Sequence, residues 1–137
     1  MRRLILIPLL LGALLLSGCG RGADVSRYTV DYGESAVYTE EERARAVTAV
    51  VERFREWDGC VLHTVSYTDD ALSTGYLDNC RERQPEADFT ASIVFDLTFR
   101  SPKEGGGSWE PDCAYEWSMI LAKSDGGEWT PVDWGVI

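Results

Sequence analysis

"FTASIVFDLTFR", residues 89–100, alternates without a break: Phe89, Ala91, Ile93, Phe95, Leu97 and Phe99 are interleaved with Thr90, Ser92, Val94, Asp96, Thr98 and Arg100. A period of two places successive side chains on opposite faces of a β-strand, so one face is expected to be buried and the other mostly wet. Such a sheet needs an apolar cover, and "YTEEERARAVTAVVERFREWDG" (38–59) supplies one. Thr39 and Glu42 form a capping box, with Glu40 and Glu41 at the positive end of the helix dipole. Ala44, Val47, Val50, Val51, Phe54 and Trp57 recur at three- and four-residue steps as one apolar stripe. Arg45, Glu52, Arg55 and Glu56 are left facing water, and Gly59 supplies a left-handed stop.

Around this pair the remaining elements fall into place. "CVLHTVSY" (60–67) reads as a strand between Asp58-Gly59 and Thr68-Asp69-Asp70. A short second helix is expected between about Asp69 and Arg83, weakened by Gly75 and ended by Gln84-Pro85. "CAYEWSMILAK" (113–123) and "EWTPVDWGVI" (128–137) read as strands joined by a hairpin at Asp125-Gly126. Pro131 cannot donate to a ladder, so the last strand must lie at an edge or carry a bulge. The fold class is therefore α+β: one long N-terminal helix packed on a curved antiparallel sheet, within a single domain spanning 39–137.

The N-terminus carries a separate message. Arg2 and Arg3 precede an apolar run from Leu4 to Leu16, broken only by Pro8 and Gly12. As a helix this run is roughly 20 Å long against a hydrocarbon core of ~30 Å, which suits a signal-peptide core better than a permanent span. Leu16-Ser17-Gly18-Cys19 resembles the bacterial lipobox. That resemblance implies a signal peptide over 1–18, cleavage before Cys19, and acylation of the Cys19 thiol, with palmitate among the acyl chains such anchors carry. Each buried CH₂ contributes about 0.8 kcal/mol, so two or three chains hold firmly. The expected location is the outer face of the bacterial cytoplasmic membrane. Residues 19–38 read as the lipidated N-terminus and a tether. "YTVDYG" (28–33) could pair as an edge strand, but no sustained period favours structure over a solvated spacer.

Charge limits the partners. Loss of residues 1–18 takes Arg2 and Arg3 and no acid from 13 basic and 23 acidic residues, leaving a balance of −12. Such a chain is repelled by nucleic acid and by anionic headgroups, so the membrane is expected to hold it through lipid, and nucleic acid is not an expected partner. Three cysteines remain: Cys60, Cys80 and Cys113. Cys60 reads as a buried free thiol. Outside the cytoplasm a Cys80–Cys113 bridge is the favoured pairing, with all thiols free as its alternative; if formed, it would add about 3–4 kcal/mol. Without a CxxC pair no zinc site is expected.

From Thr39 to Ile137 the pattern resembles nuclear-transport-factor-2-like or cystatin-like domains. More narrowly, "DGC" (58–60), "GGGSWEP" (105–111) and "WSMILAKSDGGEWTPVDWG" (117–135) resemble small uncharacterised lipoproteins of clostridial-type Gram-positive bacteria. That resemblance implies an architecture and brings no activity with it.

Three features carry candidate chemistry. His63, the single histidine, would share a strand side with Val61, Val65 and Tyr67. In a cone-shaped pocket it could act as a general base oriented by an acid such as Asp96. Glu104, Glu110, Asp112 and Glu116 gather near a Gly-rich loop; oxygen ligands suit calcium, but the spacing is not an EF-hand series and solvated acids are the simpler reading. Trp109, Trp117, Trp129, Trp134 and Tyr115 crowd the last 30 residues. Trp117 shares a face with Met119 and Leu121 and reads as core, which leaves Trp109, alone in its loop, as the candidate surface contact. No nucleotide fingerprint or Ser-His-Asp arrangement is found. The leading expectation is thus a non-catalytic module that binds a small ligand or an envelope protein and needs no cofactor or metal. A small His63 enzyme and a structural envelope component are the alternatives.

Overall fold

The structure is a computed structural model describing residues 22–137, so Cys19 and the expected signal peptide over 1–18 lie outside the described residues. Its centre is a five-stranded sheet in the order β1 (Thr29–Asp31), β2 (Val61–Tyr67), β3 (Ala91–Arg100), β4 (Ala114–Lys123) and β5 (Thr130–Gly135). β2 to β5 are antiparallel, but β1 runs parallel to β2, so the sheet is mixed. Helix α1 (Glu40–Phe54) covers one face; α2 (Asp70–Gly75) and α3 (Leu77–Arg83), followed by a 3-10 turn at Pro85–Ala87, pack over part of the other.

Two parts of the expected architecture are corrected. The N-terminal helix is not long: it has 15 residues and ends at Phe54. The chain then tightens into three-residue steps, with Glu56 N–H donating to the Arg53 carbonyl and Trp57 N–H to that of Phe54. Gly59, at φ +79°, completes the reversal. Trp57 is buried from this turn rather than from another helical turn. The sheet is not purely antiparallel either, because residues 22–31, given to the tether by the sequence reading, lie against the domain. Gly59 N–H donates to the Gly22 carbonyl at 3.1 Å, Ala23 N–H to Arg55 at 3.0 Å and Asp24 N–H to Cys60 at 2.8 Å, while Leu62 N–H returns a bond to Asp24 at 3.0 Å. Tyr28, Val30 and Tyr32 alternate inward against the core.

The strand 91–100 is buried on both faces over its first half. Ile93, Phe95, Leu97 and Phe99 meet Val47, Val50, Val51 and Phe54 of α1. Val94, with Ile120, packs against Cys80 and Phe89 on the far side. β2 stops opposite Phe95, so the edge of β3 beyond it needs other partners. Ser73 of α2 provides them: its hydroxyl accepts from Val94 N–H at 3.0 Å and its carbonyl accepts from Ser92 Oγ at 2.6 Å. Tyr38 OH donates to the Ser92 carbonyl at 2.6 Å, and its burial pushes the phenol up to about 12. Beyond the cover of α2 and α3 this face turns polar through Thr64, Asp96, Thr98 and Ser118.

A carboxylate ties down the segment leading into α1. Asp70 accepts from Ser35 Oγ, from Ala36 N–H at 2.9 Å and from Tyr67 OH at 2.6 Å. The buried Arg43 donates to the Tyr32 carbonyl at 2.9 Å and lies over the Tyr67 ring. The Ser35, Tyr67 and Ala36 bonds hold the Asp70 carboxyl below its ordinary value. A lowered carboxyl contributes stability above its unfolded-state pKa and loses it as pH falls through the folded value. Urea midpoints should therefore fall between neutral pH and about pH 3, and Asp70→Asn should be less stable at neutrality but show a shallower acid decline. Parallel pH profiles for the two proteins would contradict this assignment.

Candidate functional site

α1 presents a second surface besides its core stripe. Arg45, Thr48, Ala49, Glu52 and Arg53 follow one another at helical spacing and, with Glu56 from the turn after the helix, form one wall of an open groove. The opposite wall is the β4–β5 connection, residues 123–131. The groove encloses about 770 Å³. Trp129 forms its floor: buried, edge-on to Tyr38 at 5.5 Å, with the Lys123 ammonium 5.0 Å from its ring centroid.

The rims carry both charges. Arg53 pairs with Glu56 at 3.0 Å, and Arg45 pairs with Glu41 at 2.6 Å. These ion pairs are exposed and contribute little stability, but they leave the groove nearly neutral in a strongly acidic chain. β5 lies at the end of the sheet order, so its outer edge is unpaired within the sheet. Opposite Ile120 and Leu121 of β4 lie Asp133 and Pro131, with Val132 as an extra residue that bulges the strand. A helix wall, a sheet edge and an aromatic floor together suit an extended chain better than a compact polar solute.

The residues singled out from sequence fall elsewhere. His63 is exposed, at a bulge: Leu62 pairs with Phe99 and Thr64 with Thr98, leaving His63 as the additional residue. The bulge reverses the alternation, so that Leu62, Val65 and Tyr67 are all buried and His63 is not. Asp96 sits opposite Ser66, three positions further along β2, which separates it from His63 by roughly 10 Å. Its carboxylate instead accepts from Ser118 Oγ at 2.7 Å. The expected His63–Asp96 pair is not formed.

Trp109, the expected surface contact, is half-buried and packs against the core. Its ring centroid lies 5.9 Å from that of Trp57, 5.8 Å from Trp117 and 6.2 Å from Phe99. Trp57 also meets Phe54 at 5.0 Å and Trp134 at 6.1 Å, so the aromatics join α1, the sheet and the Gly-rich loop in one cluster. Ser101, buried at the loop's base, fixes the fold-back by donating to the Glu110 carbonyl and accepting from Cys113 N–H. Glu110 N–H donates to Tyr115 OH at 2.8 Å. The Trp109 indole nitrogen is buried without a hydrogen-bond partner.

The three thiols are free. The Cys80–Cys113 pairing is excluded by position: Cys80 packs on Val94, Ile120 and Ala122, whereas Cys113 is exposed just before β4. Seven strand positions from Cys113 to Ile120 amount to roughly 23 Å, far beyond the reach of a disulfide. Burial pushes the Cys60 thiol up to about 11 and also raises that of Cys80. Glu104, Glu110, Asp112 and Glu116 are exposed, and Asp112 pairs with Arg100 at 3.5 Å. Among the described residues no group of three or more His, Cys, Asp or Glu is placed to hold a metal ion, and no helix is long and apolar enough to cross a membrane.

The groove was missed in the sequence because its wall is the side of α1 that reads as solvated; the one available signal was the dense run of tryptophans. Comparisons with protein-family models, curated proteins and solved structures find no match to this chain.

The unpaired indole makes the Trp109 account testable. Trp109→Phe keeps the ring and removes the orphaned N–H, so its stability should lie within about 1 kcal/mol of the parent; Trp109→Ala should lose about 2–4 kcal/mol. Equal, small losses in urea unfolding for both variants would show that the ring does not support the core.

Proposed function

We propose that the chain is a lipid-anchored, extracytoplasmic binding module, acylated at Cys19, whose groove between α1 and the β4–β5 connection takes an extended peptide segment of a neighbouring envelope protein. The anchor half of this reading rests on Arg2-Arg3, the short apolar run and Leu16-Ser17-Gly18-Cys19. The binding half rests on one observation, the open groove lined by Trp129 beside β5, the strand that ends the sheet. Peptides added at a sheet edge gain affinity from main-chain hydrogen bonds and specificity from pockets along the groove. Nucleic acid is not a partner in this reading, because a balance of −12 opposes it. A catalytic role for His63 gains no support from its place at an exposed bulge, three strand positions from Ser66, the residue opposite Asp96.

Two measurements test the halves separately. An alkyne analogue of palmitate should label the full-length protein in cells, and Cys19→Ser should lose both label and membrane association; a labelled Cys19→Ser protein would contradict the anchor. For the groove, Thr48→Arg obstructs an exposed wall position without touching the core, while Thr74→Arg makes the same change on α2. Cross-linked recovery from membranes should lose a partner with Thr48→Arg and keep it with Thr74→Arg. Identical recovery by both would remove the groove from the function.

A further inference from the structure

The described chain begins only three residues after Cys19, and it begins docked. Gly22 and Ala23 are hydrogen-bonded to Gly59 and Arg55, and Asp24 bridges to Val61 at the start of β2. Gly59 in turn lies against Pro102: a Cβ added there would come within 3.0 Å of the proline ring. Val61 pairs with Arg100, so the ends of α1 and β3, the start of β2 and the loop before β4 share one pole of the domain. Three peptide units reach at most about 11 Å when extended. An acylated Cys19 lies at the headgroup layer, so this pole is held within that distance of it. The opposite pole, carrying the β4–β5 turn at Asp125, is roughly 30 Å further along the strands.

We infer that the pole built from the Arg55–Cys60 turn and the Pro102–Cys113 loop is the membrane-facing surface of this domain, seated against the headgroups of the bilayer that carries its own anchor. This rests on the lipidation reading. The exposed residues of the loop, Lys103, Glu104, 106–108 and 110–113, are polar or small, and Trp109 packs back against the core, so the surface rests on headgroups and does not insert. Arg55, Arg100 and Lys103 are outnumbered there by Asp58, Glu104, Glu110 and Asp112, so the short link, and not charge attraction, holds the contact. The groove runs along α1 between the two poles, leaving it open to a partner standing beside the domain on the same membrane.

The free thiols make a direct test available. Cys60 and Cys80 are buried, while Cys113 is exposed on the membrane-facing pole. Full-length lipidated protein, labelled at Cys113 with a bimane fluorophore, is placed in phosphatidylcholine vesicles containing some phosphatidylglycerol and a nitroxide-headgroup lipid. The second protein carries the label at Asp125→Cys in a Cys113→Ser background. Quenching should be several-fold stronger at position 113 than at 125. A Gly-Ser insert of about 15 residues between Gly20 and Arg21 adds about 20 Å of average reach and should abolish the difference. Failure of the protein to float with the vesicles overturns the lipidation reading and this inference with it. Flotation with equal quenching at both positions, or a difference that survives the insert, overturns the orientation alone.

Discussion

The fold depends on the docking of Gly22–Asp24 into the corner where α1 ends and β2 begins. Four backbone hydrogen bonds hold it, from Gly59, Ala23, Asp24 and Leu62. Each contributes only about 0.5–1.5 kcal/mol net, but together they determine topology. They place β1 parallel to β2, cover the edge of β2, and bring Tyr28, Val30 and Tyr32 onto the core. An antiparallel sheet under one helix becomes a mixed sheet whose N-terminal strand belongs to the same body as the rest. Asp70 completes the arrangement by fixing the chain between that strand and α1.

The same corner organises the aromatic residues. Trp57 leaves the end of α1 in a tight turn and meets Phe54, Phe99, Trp109, Trp117 and Trp134. Edge and tilted ring contacts of this kind add about 0.5–1.5 kcal/mol each beyond burial, which joins an otherwise flexible Gly-rich loop to the core. Trp129, at the other end of β5, belongs to a different surface. With Lys123 over its face it floors the groove and gives the domain one apolar strip bordered by charge.

Local pattern carried much of this. The alternation in 89–100 located the central strand, and Thr39 marked the helix start: its hydroxyl accepts from Glu42 N–H at 3.1 Å. Where the sequence misled, one spacing had two structural solutions. Trp57 follows Phe54 by three residues, which fits a continuing helix and fits equally a tight turn that buries the same ring. His63 was placed by counting in twos, and a single bulged residue inverted the count. Tyr28, Val30 and Tyr32 do alternate, but three apolar positions are too few to separate a strand from a spacer. Trp109 sat among glycines and acids, and its partners Trp57 and Phe99 come from distant parts of the chain, which no window contains. The thiol pairing failed for the same reason, since sequence spacing holds no measure of the distance between Cys80 and the start of β4. The groove was not visible because Arg45, Glu52 and Glu56, which help to line it, read as an ordinary wet helix face.

The most direct measurement is amide hydrogen exchange at Asp24 and Leu62, two of the four N–H groups that are bonded donors only when the N-terminal segment is docked. Both should exchange far more slowly than an unstructured chain, with Asp24 protected to a degree comparable with amides of the neighbouring β2. Exchange of Asp24 at the free-chain rate, while the β3–β4 pair remains protected, would contradict the account, because residues 22–31 would then be a tether after all.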